Sequence, residues 1–237
     1  GPDPGARLRT GAGASAARRT RMLELAVKTL LAYLLGSLMG ALLVGRARGV
    51  DIRELGSGNA GGTNALRTQG KAFALAVVLI DVAKGWFAAA VLPGLALPGV
   101  PLDPALSREW LVVACATAAV LGHVYPVWYE FRGGKGAATL LGVLGGVQPA
   151  LLLPVIGVWL GVVVLTGYVG LATMLATAAF PVAQLLRDFG AVPLIAFGTV
   201  MTAFVAYTHR ANIARMRAGT ENRARRLWLF GRRSASP

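Results

Sequence analysis

Long apolar runs separated by short polar ones set the rhythm of this chain from residue 23 to residue 207. The run 23–44 is long enough to cross a hydrocarbon core of about 30 Å as a helix, with Lys28 close enough to one end to snorkel. Runs 72–92 and 110–128 follow at near-spanning length, and the second carries Trp110 and Trp128 at its ends, as interfacial belts do. The almost uncharged stretch 137–186 is broken at Gly145-Gly146-Val147-Gln148-Pro149 and at Thr166-Gly167-Tyr168, which predicts helices over 137–145, 151–165 and 169–186. The first of these is too short to span unless tilted or re-entrant. With a last helix over 191–207, the pattern predicts an all-α polytopic integral membrane protein of about seven transmembrane helices with Gly-rich loops, and no internal repeat is visible.

Composition supports lipid as the solvent, since 55% of residues are hydrophobic and 14% charged. The charge is lopsided, 24 Lys+Arg against 10 Asp+Glu, and gathers in the tails and the first loop, where it suits anionic headgroups or phosphorylated ligands. Neither basic tail is read as a base-stacking surface, so no nucleic-acid partner is expected. Three regions follow: a disordered basic N-terminal tail over 1–21 whose Gly1-Pro2 start resembles a cloning remnant, a transmembrane domain over 22–209, and a basic tail over 210–237. Arg46, Arg48, Arg53, Arg67 and Lys71 in the first loop, and the arginines of the C-terminal tail, place both on the cytoplasmic side. Seven spans put the loops after the first, third and fifth on that side too, yet leave Arg7, Arg9, Arg18, Arg19 and Arg21 outside, against the same trend. Cys115, in an apolar run, reads as a buried thiol, and two histidines with one cysteine offer no metal cluster.

The first polar loop, GSGNAGGTNALRTQGK over 56–71, matches a G-x-G-x-x-G fingerprint, and Asp81 stands where a ribose-gripping acid would. A dinucleotide fold needs a short apolar strand before the glycines; residues 51–55 are not one, and Asp81 lies with Lys84 in an apolar helix. A P-loop fails as well, because Ala65 and Tyr129 stand where the leading glycine belongs. What remains is anion binding. Gly56 and Gly58 free the backbone, Ser57, Asn59, Thr63 and Asn64 offer donors and acceptors, and Arg67 and Lys71 add charge, against the alternative of a plain solvated linker. In GHVYPVWYEFRGGKGAAT, Gly133, Gly134 and Gly136 are expected to leave amides uncovered beside Lys135 at a helix start, a phosphate cradle, unless Arg132 and Lys135 are only membrane anchors. Asp81 and Lys84 each cost about 2.5–3.5 kcal/mol at mid-membrane, so they either pair with each other or meet a ligand. In HRANIARMRAGTEN, His209 and Asn212 share a face if the helix continues, and Glu221 follows; His123 and His209, taken singly, read as packing or capping residues.

In order, these blocks resemble the bacterial acyl-phosphate:glycerol-3-phosphate acyltransferases, which are integral membrane enzymes. The resemblance covers 23–222 and rests on Gly56-Ser57-Gly58-Asn59, Thr63-Asn64, Arg67 and Gly70-Lys71. It continues through Asp81, Lys84-Gly85, Gly122-His123, Pro126, Phe131 and Gly133-Gly134-Lys135-Gly136, and ends with His209, Asn212-Ile213 and Glu221. Ala60, Gly62 and Gly170 depart from the usual proline, alanine and serine. The resemblance implies acyl transfer from a fatty acyl phosphate to the 1-hydroxyl of sn-glycerol 3-phosphate, at cytoplasm-facing loops of a monomer in the bacterial cytoplasmic membrane, without cofactor or metal. It implies catalytic roles for Ser57, Arg67, Lys135, His209, Asn212 and Glu221. Substrate-binding roles go to Gly56, Gly58, Asn59, Thr63, Asn64, Lys71, Asp81, Lys84, His123, Gly133, Gly134 and Gly136. The base is open among His123, His209, Glu221 and a substrate phosphate, with the substrate-assisted route favoured. The His-x4-Asp pattern of thioester-dependent acyltransferases is missing, since Trp128 and Ala214 occupy the required positions. A transporter of phosphorylated solutes is the competing class.

Overall fold

The computed structural model describes residues 22–232, and among them the secondary structure is helical with no β-strand. The tail predicted over 1–21 lies outside the described residues. The first predicted span is two helices, α1 (Met22–Gly36) and α2 (Gly40–Ala47), bent by 45°. Close packing sets the break: a Cβ on Gly36 would lie 2.2 Å from the Ala119 carbonyl oxygen, and one on Gly40 2.8 Å from that of Val77. The backbone groups freed there are taken by the mid-membrane charges. Lys84 donates to the Leu38 carbonyl at 2.7 Å, and Asp81 accepts from the Gly40 amide at 3.2 Å.

Next come α3 (Gly62–Gln69) and α4 (Lys71–Trp86), the latter prolonged by a π turn over Phe87–Val91. α5 (Arg108–Val124) starts where Ser107 caps the Trp110 amide, and α6 (Ala137–Val147) follows the second glycine loop. α7 (Leu152–Thr166) ends at Gly167, whose φ of 75° lies in the left-handed region that glycine adopts without strain. α8 (Val169–Arg187), α9 (Val192–Thr208) and α10 (Arg210–Arg217) complete the chain, with a 56° bend between the last two. Among the described residues four helices are long and apolar enough to span alone, or six spans if each bent pair counts as one. The eleven-residue α6 is the seventh apolar segment and too short to cross unaided.

The main core joins Val120 of α5, Val143 of α6, Phe180 of α8 and Met201 of α9. A second core lies beneath the first loop, where Ile52, Ala60 and Ala65 are fully buried against Met39, Phe73 and Val77. That burial overturns the solvated-linker alternative: the loop is folded onto the bundle. Lys28 also departs from expectation. It does not snorkel but is fully buried, paired with Glu24 at 2.9 Å and donating to the Pro93 carbonyl. Polar connections then fall into two layers. The loop after α2, the loop before α6, the α7–α8 turn and the C-terminal segment touch one another on one face, while Glu24, Lys28, Pro93, Asp103 and Arg108 meet on the other.

Candidate active site between the glycine loops

The first loop is held from within. Asp51 caps the turn Ile52–Glu54 by accepting from the Arg53 amide at 2.9 Å and pairs with the Arg53 guanidinium, which reaches the Tyr129 carbonyl in the second loop at 3.4 Å. Asn64 is buried and spent on the loop itself. Its oxygen accepts from the Ser57 amide at 3.0 Å, and its nitrogen donates to the Ile52 and Leu55 carbonyls at 3.2 and 2.9 Å. Gly56, at φ 58°, lies so close that a Cβ would stand 2.4 Å from that oxygen. Around this frame Ser57, Gly58, Thr63, Arg67 and Lys71 are exposed and Asn59 half-buried. The Ser57 hydroxyl and the Arg67 guanidinium have no hydrogen-bond or ion-pair partner among the described residues.

The second loop carries backbone strain. Glu130 and Phe131 are consecutive non-glycine residues at φ 57° and 59°, a conformation that costs of order 1–3 kcal/mol each. Bonds from the Phe131 amide to Pro126 and from the Arg132 amide to Tyr129 hold it. The expectation of uncovered Gly133 and Gly134 amides fails: they donate to the Val124 and His123 carbonyls at the end of α5, at 3.2 and 3.1 Å. The open donors are instead the amides of Lys135 and Gly136 and of the first turn of α6. Gly134 has no room for a side chain, since a Cβ would lie 2.3 Å from His123 Nε2 and 3.0 Å from the Ala60 carbonyl of the first loop. His123, expected as a substrate contact, thus sits where the two loops cross, with its Nδ1 3.5 Å from Asp81. Asp81 and Lys84 pair at 2.8 Å, so the geometry displays the structural pairing of the two readings open to them.

The third block closes over the lysine. The helix does not continue through His209: the bend after α9 turns it so that its Nδ1 donates to the Val205 carbonyl at 2.8 Å, leaving Nε2 with the lone pair. Thr208 donates to the Lys135 carbonyl at 3.2 Å. Lys135 Nζ donates to Asn212, Asn212 donates to Glu221 at 2.8 Å, and Arg215 pairs with Glu221 at 2.6 Å. Burial, aided by the nearby charges of Arg215 and Arg67 and opposed by Glu221, lowers the Lys135 ammonium to about 8. Of the predicted set, Lys135, His209, Asn212 and Glu221 are brought together, Arg67 contributes its field, and Asp81 and Lys84 belong to the helix break. Arg215 and Thr208 were missed. Arg215 was legible as the residue one helical turn after Asn212; Thr208 had no signal beyond its neighbour.

Lys135 lies in the field of two further cations, Arg215 and Arg67, and of one carboxylate, Glu221, where two glycine loops meet, the electrostatics of a site for a doubly charged anion. A family model described as glycerol-3-phosphate acyltransferase matches residues 26–219. The chain belongs to the glycerol-3-phosphate acyltransferase family. Relatives of that name include one from Chlorobaculum parvum, 42% identical over 86% of this chain and 96% of its own length, and one from Rhizobium meliloti, 42% identical over 81% and 88%. Crystal structures of PlsY, an integral membrane glycerol 3-phosphate acyltransferase, in its glycerol 3-phosphate and lysophosphatidic acid forms superpose with TM-scores of 0.73 and 0.71. Each is 35% identical and covers 84% of this chain and 94% of the matched one. The family match ends at residue 219, so Glu221 and the segment after it stand beyond it.

Proposed function

We propose that this protein transfers an acyl group from a fatty acyl phosphate to the 1-hydroxyl of sn-glycerol 3-phosphate, releasing lysophosphatidic acid and inorganic phosphate. The observation that carries the reading is the grouping of Arg67, Arg215 and Glu221 about Lys135 on the face where both glycine loops meet. Both substrates present phosphate, and both phosphates require cations and amides at the membrane surface. The acyl tail stays between apolar helices. Glycine-loop residues facing the cytoplasm of a bacterial inner membrane suit a soluble acceptor and a lipid product.

Lys135, with the amides of Gly136 and the first turn of α6, receives phosphate and the oxyanion that develops on the acyl carbonyl. Arg67 and Ser57, unengaged by the described protein, bind the second phosphate. Asn212 and Glu221 fix the Lys135 ammonium, and His209 Nε2 accepts a hydrogen bond from the acceptor. The acceptor O1 bonds to the acyl carbon while its proton passes to a substrate phosphate oxygen, whose second ionisation near pH 6 makes it a competent base. The bond from that carbon to the phosphate oxygen then breaks, and phosphate leaves with the electron pair. Because that leaving group is already a stabilised anion, placement and charge supply most of the catalysis.

The test is phosphate release by purified protein given palmitoyl phosphate with and without glycerol 3-phosphate, beside a palmitoyl-CoA control. Release that requires glycerol 3-phosphate and is absent with the thioester is expected. Acyl transfer from the thioester instead would overturn the donor, and no transfer from either would overturn the reaction.

A further inference from the structure

Beyond Glu221 the chain reads Arg223-Ala224-Arg225-Arg226-Leu227-Trp228-Leu229-Phe230-Gly231-Arg232, apolar residues bracketed by arginines. None of these side chains enters the proposed chemistry. The structure nevertheless seats the segment firmly on the α7–α8 turn. Ala224 donates its amide to the Gly167 carbonyl at 2.7 Å, and the Trp228 indole donates to the Leu165 carbonyl at 3.2 Å. Arg223 lies over both the Tyr168 and Trp228 rings, at 4.5 and 4.1 Å, and donates to the Tyr168 hydroxyl at 2.9 Å. A Cβ at Gly167 would come within 3.0 Å of Arg223 Cβ, so the turn and the segment are fitted to each other.

That seat fixes the depth of the segment, because Leu165 and Thr166 end a helix that is apolar enough to span and mostly lipid-facing. From it, Leu227, Leu229 and Phe230 project outward at 53, 59 and 52% exposure, beside Leu165 at 59%. Arg225 and Arg226 are exposed, with no acidic partner among the described residues. Half-exposed Leu and Phe at the mouth of a spanning helix, flanked by unpaired guanidinium groups, match the headgroup boundary of a bilayer rather than water.

We propose that residues 223–232 form an interfacial anchor that docks on the leaflet at the glycine-loop face and binds anionic phospholipid headgroups. Leu227, Leu229 and Phe230 enter the boundary between headgroups and acyl chains, and Arg225 and Arg226 hold the phosphates above it. Charge complementarity selects anionic over neutral lipid, and continuity with the lipid-facing end of α7 selects a bilayer over a soluble acidic partner.

The experiment labels a Phe230→Cys variant of the full chain with an environment-sensitive fluorophore. Cys115 is fully buried, so the new thiol is the accessible one. The protein is reconstituted into vesicles of phosphatidylcholine alone or with phosphatidylglycerol, each doped with shallow nitroxide lipids as quenchers. Blue-shifted emission and quenching are expected, stronger with phosphatidylglycerol, weakened by added salt, and reduced to the phosphatidylcholine level by Arg225→Ala/Arg226→Ala. The two-lipid comparison on the labelled parent stands even if the arginine variant folds poorly. Water-like, unquenched emission in both vesicles overturns the anchor, and quenching indifferent to headgroup charge overturns its anionic preference.

Discussion

The two ends of this bundle both bury charge and use it in opposite ways. Away from the glycine loops, the Glu24 carboxylate receives Arg108 through two nitrogens at 2.6 and 2.8 Å, Lys28 at 2.9 Å and the Asp103 amide at 2.8 Å. Four donors fill its four lone-pair sites, and Lys28 spends a further hydrogen on Pro93. At the loop face, Lys135 has a neutral amide oxygen for a side-chain partner, Glu221 is shared, and Arg67 and Ser57 remain open among the described residues. A structural charge cluster closes its own valences. A ligand site keeps some in reserve and depends on neighbours to hold them there.

Removing the acid at the closed end sharpens that contrast most. Glu24→Ala strands the buried Lys28 and should cost about 3–5 kcal/mol of stability, read as a lower thermal midpoint in detergent, with the KM for glycerol 3-phosphate unchanged in the protein that survives. A normal melt with lost activity would reverse the assignment of the two ends. At the open end, Lys135→Ala should lower kcat/KM on the order of 100-fold, about 3 kcal/mol. Its melt should move only by what one unmade hydrogen bond costs. Gly134→Ala should come next, at roughly 1–3 kcal/mol of overpacking, because the added methyl meets His123 and the Ala60 carbonyl at the loop crossing. Its signature is activity lost at low temperature, before any unfolding.

Sequence periodicity located the helices well because lipid leaves few alternatives to long apolar runs. It did not see the break between α1 and α2, since a helix interruption inside protein depends on distant partners, here Lys84 and Asp81 from α4. It placed Lys28 at the surface because snorkelling is a rule for a lone lysine, whereas this one has Glu24 one turn earlier. At the site, charge and glycine spacing were legible, and so was the grouping of Lys135 with the His209 block once the family resemblance was drawn. Which amides stay open was not legible: Gly133 and Gly134 are spent on α5, a tertiary fact. Nor was the seat of Arg223 between two rings, which joins residues 55 positions apart.

The smallest effect tests the reserve directly. Burial and the charges of Arg215 and Arg67 hold the Lys135 ammonium down to about 8, with Glu221 pulling the other way. A lysine lowered in this way is fully charged well below pH 8 and loses its charge as pH rises through it. Since kcat/KM reports the free enzyme, its value for glycerol 3-phosphate should fall above pH 8, about tenfold by pH 9, or roughly 1.4 kcal/mol. The phosphate of glycerol 3-phosphate is a dianion throughout that range and contributes no such limb. Lys135→Arg should remove the limb even if the plateau drops, because a guanidinium stays charged. Arg215→Ala should move it to higher pH and Glu221→Gln to lower pH. A limb that stays in place in both variants would mean that another group titrates, and Lys135 would then rank with the closed charges of the opposite end.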